Sequence, residues 1–187
     1  MKNVNPDDGV RTRLILSALE ELLEHGVADF SLRRVALSAQ VSCAAPYRHF
    51  KSKEELIAET AKYITSKWQL LCKEIISVYG DDTRQTLIEL SVNAFRFWVA
   101  NGKFRSVLIP EADSPLHDGM KDFDRPIIEY AGRLSDLLGI SPEEKAQKSY
   151  ALLALIYGNV VLAGAGKLLV NQASSILHLQ IEALFSV

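Results

Sequence analysis

The sequence predicts an all-α protein of about nine helices, on three observations. Apolar residues recur three and four positions apart over most of the chain, and no strand-like alternation is sustained. Glycine, proline and aspartate punctuate these runs. Serines precede several runs at positions suited to helix N-caps. With 187 residues the chain is long enough for a small domain followed by a larger one.

The first apolar face, in Arg11–His25, carries Ile15, Ala18, Leu19, Leu22 and Leu23, and Gly26 stands where a C-cap takes a left-handed residue. Ser31 is a natural N-cap, and Phe30 before it can staple onto Val35. The helix it opens, Leu32–Ala39, is short. Gln40-Val41 turns the chain, and Ser42 is expected to cap a second short helix from Cys43 to about His49. Ser52-x-x-Glu55 is a capping box. It starts a long helix whose apolar face runs from Ile57 to Tyr79. Thr83–Ala100 repeats the pattern and ends at Asn101-Gly102. A loop-rich stretch with Pro110, Pro115 and Gly119 leads to a helix around Phe123–Leu138. Ser141-Pro142-Glu143-Glu144 is a helix start with N-cap, proline and an acidic first turn, and that helix is expected to reach about Val170. A last helix is expected over Ser174–Phe185.

Charge is distributed unevenly. From Ser31 to Lys53 there are five basic residues (Arg33, Arg34, Arg48, Lys51, Lys53) and no acid, whereas the remainder of the chain from Glu54 carries 17 acidic and 13 basic side chains. A basic block in an otherwise acidic chain is the footprint of a phosphate-binding face; a chance charge excess on a solvated surface would look the same. Helices as short as Leu32–Ala39 and Cys43–His49 are stable only when packed, here on the apolar face of Arg11–His25. Such a three-helix unit can place its third helix in the DNA major groove while the second crosses the backbone. Cys43, Ala44 and Ala45 are small enough for close approach, an alanine methyl can touch a thymine methyl, and Ser42 can hydrogen-bond a base or phosphate. Tyr47, Arg48, His49, Lys51 and Lys53 can reach phosphates, which sets register and affinity. Ser31, Arg33 and Gln40 complete the expected DNA-binding set, with DNA shape adding to a modest direct readout.

Residues 30–56, FSLRRVALSAQVSCAAPYRHFKSKEEL, resemble the N-terminal signature of the TetR family of bacterial repressors. The matching positions are Ser31, Val35-Ala36, Ala39-Gln40-Val41-Ser42, Tyr47, His49-Phe50 and Lys53-Glu54. One position departs from the pattern: the family's turn glycine is Gln40 here. Either the turn keeps a positive φ, at a cost on the order of 1 kcal/mol, or it is reshaped. Pro46 is expected in or just past the first turn of its helix.

The resemblance covers about the first third of the chain. It implies a helix-turn-helix DNA-binding domain over 1–52 and a helical ligand-binding and dimerisation domain over 53–187. It also implies a homodimer in which the last two helices, Tyr150–Val170 and Ser174–Phe185, pair across a two-fold axis as a four-helix bundle. Gly158, Ala163, Gly164, Ala165 and Gly166 would allow close helix approach there, or serve ordinary packing within one chain. Trp68, Phe95, Trp98, Phe104 and Tyr130 are candidates for lining a small-molecule pocket, although aromatics at helical spacing are more often plain core.

Other functions find less support. The acid-rich stretch Glu111–Asp124 lacks metal-ligand spacing and reads as a solvated loop. Cys43 and Cys72 form no disulfide or metal framework. Ser149–Gly166 is 18 residues without a charge, but its three glycines and Asn159 favour a core or interface helix over a membrane span. The N-terminus shows no secretory pattern, so a cytoplasmic location is expected. No catalytic constellation, cofactor motif or metal site is expected. The sequence therefore points to a ligand-responsive transcriptional regulator acting on double-stranded DNA. A repressor released from a palindromic operator by an unidentified small molecule is the form expected. The alternative is a helical small-molecule-binding module without DNA-binding activity.

Overall fold

In the computed structural model the described residues are 6–101 and 113–186. Among them there are nine helical segments and no strand. They cluster into two compact units, one built from 6–66 and 113–121, the other from 67–101 and 122–186.

The first unit holds α1 (Pro6–His25), α2 (Leu32–Ser38), α3 (Ala45–His49), the start of α4 (Lys53–Tyr79) and the single turn α6 (His117–Met120). Its core takes Leu14, Ile15, Ala18 and Leu22 from α1, Phe30, Val35, Ala36 and Ala39 around α2, and Phe50, Leu56 and Ile57 after α3. Ser31 caps α2 as expected, its hydroxyl accepting from Arg34 N at 3.4 Å. Phe30 and Val35, the expected staple, are both buried. Ser52 Oγ accepts from Glu55 N at 3.1 Å, and the Glu55 carboxylate accepts from Lys51 N, so the start of α4 is capped from both sides.

α3 is shorter than the sequence suggests. It begins at Ala45 with Ala44 as N-cap and no side-chain cap, so Ser42 and Cys43 precede it. Proline explains the difference. A helix capped by Ser42 would need an N–H at position 46 to bond the Ser42 carbonyl, and Pro46 has none. Instead Ala45 N donates to Ser42 O at 2.8 Å, and Pro46 sits in the first turn.

α6 interrupts the stretch read as loop. Thr65 Oγ1 donates to Gly119 O at 2.8 Å, and α6 lies directly on α4: a Cβ added at Gly119 would stand 2.3 Å from Ala61 Cβ and 2.7 Å from Ala58 O. Only glycine fits that approach.

The second unit holds the remainder of α4 with α5 (Thr83–Ala100), α7 (Arg125–Leu137), α8 (Pro142–Gly164) and α9 (Val170–Leu184). α5 is its centre: α7, α8 and α9 all pack on it, and Leu87, Leu90, Ala94, Phe95 and Trp98 are fully buried. Asp82 caps α5 by accepting from Gln85 N at 2.9 Å, and Ser141 caps α8 by accepting from Glu144 N at 3.3 Å. α8 stops at Gly164, short of Val170, and α9 starts at Val170, ahead of Ser174. The break is made by Gly166 at φ 69°, with Gly166 N donating to Ala163 O and Lys167 N to Leu162 O at 3.0 and 2.9 Å. This pair of bonds is a Schellman motif, which satisfies carbonyls that a longer helix would have used.

No helix among the described residues is long and apolar enough to cross a membrane, and no group of three or more His, Cys, Asp or Glu could hold a metal ion.

Candidate nucleic-acid interface

The turn between α2 and α3 starts from a second Schellman motif: Gln40 N donates to Leu37 O at 3.1 Å and Val41 N to Ala36 O at 3.0 Å. Gln40 occupies the left-handed position, at φ 56°, and is the one non-glycine residue with positive φ among the described residues. The turn is therefore not reshaped, and the strained alternative is the one adopted. Gly26, Gly139 and Gly166 hold the other left-handed positions, at φ 71°, 67° and 69°.

Beyond the turn, Ser42, Cys43 and Ala44 are exposed, and Tyr47 and Arg48 project outward from α3, with Tyr47 67% exposed. Ala45 departs from the expected DNA-facing set: with Pro46 it turns inward and is only 7% exposed, because α3 must cover the core with its short inner face. His49 is half-buried with its ring 6.4 Å from that of Phe50. Arg33 and Lys51 are exposed, as is Gln40. Ser31 is half-buried and committed to the α2 cap. Lys53 is also half-buried, its Nζ 5.7 Å above the centre of the Phe30 ring.

The basic block is less uniform than its composition. Arg34 turns back to α1, where its Nε lies 2.8 and 3.0 Å from the two carboxylate oxygens of Glu21 and its Nη2 donates to Glu21 and to the Asp29 carbonyl. The same carboxylate accepts from Ser31 N at 2.9 Å. Glu21 is 6% exposed. Burial acts to raise its carboxyl, but the hydrogen bonds from Arg34 and Ser31 and the charges of Arg34 and His25 together hold it below the usual glutamate value. The signal was present in the sequence: Glu21 follows Leu14 by seven and Ala18 by three, which puts an acid on the core face of α1. On the other side of α1, Arg11 pairs with Glu59 of α4 at 2.6 Å and lies over the Phe50 ring, centroid distance 5.0 Å.

In the second unit, Trp68, Phe95, Trp98 and Tyr130 are all buried; Phe104 lies outside the described residues. Trp68 and Trp98 meet through Phe123, with centroids 5.0 and 4.6 Å from its ring, and Phe97 completes the cluster. Phe97 and Phe123 were not among the candidates, and only the turn before α7 brings Phe123 to the group. Trp68 Nε1 donates to Phe123 O at 2.8 Å, whereas Trp98 Nε1 is buried without a hydrogen-bond partner among the described residues. Next to Phe123, Asp124 accepts from Tyr157 Oη at 2.6 Å; burial pushes the carboxyl up, against that hydrogen bond, and pushes the Tyr157 phenol up as well.

α8 and α9 expose a series of large apolar side chains. Tyr150, Val161, Leu169 and Leu179 are 78, 58, 69 and 64% exposed, and Leu162, Val170 and Ile176 are also open. Gly158 has no neighbouring heavy atom within reach of an added Cβ.

Three packed N-terminal helices, a tight left-handed turn and a short third helix with Tyr47 and Arg48 exposed make up a helix-turn-helix arrangement. Residues 14–60 match the family model described as bacterial regulatory proteins, tetR family. Residues 14–60 thus carry the sequence pattern of that family's helix-turn-helix, and the chain shares the fold of solved TetR-family regulators. No curated protein matches the chain in sequence. Among solved structures, a candidate TetR-family transcriptional regulator from Rhodococcus sp. is 18% identical, with TM-score 0.72 over 96% of this chain and 100% of that one. NalD, the secondary repressor of the MexAB-OprM multidrug efflux pump in Pseudomonas aeruginosa, is 23% identical, with TM-score 0.72 over 96% of each chain. The transcriptional regulator FadR from Bacillus subtilis, solved with stearoyl-CoA, is 13% identical, with TM-score 0.72 over 94% of this chain and 97% of that one. At these identities the likeness is one of fold.

Proposed function

We propose that the chain is a cytoplasmic, ligand-responsive transcriptional repressor that binds a palindromic operator as a homodimer and is released by a small molecule. The observation that carries this reading is the helix-turn-helix itself, on which Ser42, Cys43, Ala44, Tyr47, Arg48, Arg33 and Lys51 are each exposed. Small residues let the backbone approach base edges, and the cations and the Tyr47 hydroxyl take phosphates. The exposed apolar faces of α8 and α9 support self-association, since a monomeric soluble protein rarely leaves so many large apolar side chains open. Two copies would present two recognition helices to successive major-groove half-sites.

The effector site is proposed in the second unit, at the cluster of Trp68 and Trp98, with Phe95 and Tyr130 buried in the same unit. The Trp98 N–H, buried and without a partner among the described residues, supports a ligand that brings a hydrogen-bond acceptor. Such a ligand releases DNA only if it binds the DNA-incompetent conformer more tightly. α4, a single helix from Lys53 to Tyr79, is the covalent route between the two ends of this process. The activities of NalD as a repressor and of FadR as a regulator crystallised with an acyl-CoA make efflux substrates and acyl thioesters the first two classes to screen.

Gel-shift titration with the DNA flanking the gene tests the reading. Specific binding that weakens steeply with salt is expected, with log K falling by about 0.9 per log unit of salt for each phosphate contacted. Salt-insensitive or sequence-indifferent binding would refute it.

A further inference from the structure

Arg34 belongs to the basic block by composition, but not by placement. Its guanidinium, on a side chain still 47% exposed, is committed to a partner: its fork closes on the buried carboxylate of Glu21. The arrangement has four parts. Glu21 accepts from Arg34 Nε at 2.8 and 3.0 Å, from Arg34 Nη2, and from Ser31 N at 2.9 Å, while Arg34 Nη2 also donates to the Asp29 carbonyl. One acid of α1 thus holds the loop that follows it, the cap residue of α2 and the first turn of α2 in a single network. A fork-to-carboxylate pair fixes direction as well as distance, which a point charge would not.

From this geometry we propose that Glu21 and Arg34 are positioning residues for DNA binding. They fix the orientation of α2, and with it the exposed Arg33 side chain, for contact with the phosphate backbone, while Arg34 itself makes no phosphate contact. The proposal rests on the DNA-binding reading above and sharpens it: of the five basic residues between Ser31 and Lys53, Arg34 contributes orientation and not counterion release. Arg33, its neighbour on the exposed side of α2, is the phosphate contact that the clamp serves.

Affinity and its salt dependence separate the two roles. The probe is a labelled duplex of about three helical turns, taken from the DNA flanking the gene, titrated by fluorescence anisotropy over a range of salt. For Arg33→Gln, the slope of log K against log salt should fall by about 0.9 per DNA-binding chain. For Arg34→Gln and Glu21→Gln, affinity should fall several-fold at every salt concentration with the slope unchanged. Arg34→Lys keeps the charge but not the fork. It should resemble Arg34→Gln, and it stands in for that variant if the glutamine protein does not fold by circular dichroism. A slope reduced by about 0.9 in Arg34→Gln, or full affinity in Arg34→Lys, makes Arg34 an ordinary phosphate contact and overturns the proposal. Unchanged affinity in both glutamine variants also overturns it. If the unsubstituted protein does not bind the duplex, the DNA-binding reading fails and this inference fails with it. Loss of slope in Arg34→Gln beside normal binding by the parent removes the clamp alone.

Discussion

At Gln40 a long side chain sits on backbone that Gly26, Gly139 and Gly166 occupy elsewhere in the chain. Both bonds of the Schellman motif are present, so the strain of the left-handed residue is borne without loss of the turn. Gln40→Gly should therefore stabilise the protein by about 1 kcal/mol. In a chain of this size that corresponds to a rise of roughly 2–4 °C in Tm; an unchanged or lowered Tm by differential scanning calorimetry would show that the Gln40 side chain makes compensating contacts. Asp124 is a second informative residue. Its carboxyl is raised by burial, so the stability its neutral form allows is complete below the unfolded aspartate value of about 3.9 and is lost as pH rises through the folded value. Asp124→Asn keeps the acceptor for Tyr157 and removes the buried charge. Its melting temperature should exceed that of the parent at neutral pH, with the difference shrinking toward acid; a variant less stable at pH 7 would mean that the ionised pair is favourable. Glu21 has the opposite sign: held below the usual value, it stabilises above about pH 4.3 and loses that contribution on acidification.

Among the elements, legibility followed the strength of local chemistry. The capped helices α2, α4, α5 and α8 start where Ser31, Ser52, Asp82 and Ser141 place their side chains over free N–H groups. The end of α8 was less clear because a glycine within an apolar run is tolerated in a helix as readily as it stops one, and only the bonds to Ala163 and Leu162 decide between them. α6 was not legible. It has no side-chain capping hydrogen bond and only one turn, and it exists because Gly119 lets it rest on α4. Gly119→Ala should therefore cost about 1–3 kcal/mol, the usual range for overpacking against backbone, and chemical denaturation would measure it. A loss below half a kcal/mol would show that α6 can lift away without consequence. Of the expected DNA-binding residues, Arg33, Gln40, Ser42, Cys43, Ala44, Tyr47, Arg48 and Lys51 are exposed, whereas Ala45 is buried because α3 starts there and not at Cys43. Of the aromatic candidates, Trp68 and Trp98 form a group through Phe123, by tertiary packing that periodicity does not record.

For the whole molecule, the decisive surface is the open apolar side of α8 and α9. If two copies pair through it, Leu179→Glu, at a side chain 64% exposed in the single chain, should leave the helical content intact and convert a dimer to a monomer in sedimentation velocity. The same change should weaken operator binding by more than tenfold, because two half-sites would no longer be read by one linked pair of recognition helices. A monomeric parent, or a dimer unaffected by the substitution, would move the interface elsewhere.

The front of α3 has one further consequence. Its exposed leading positions are Ser42, Cys43 and Ala44, and none carries the amide or guanidinium that makes a two-bond contact with adenine or guanine. Nothing at those positions must be unlearned before a new base preference is acquired. A single change such as Ala44→Asn or Cys43→Arg can add a preference without first breaking one, whereas a helix already committed to two-bond readout needs at least two steps. If these positions read the operator as proposed, the surface is easy to retarget, and a library randomised at positions 43 and 44 alone should yield variants with operators distinct from the parental one.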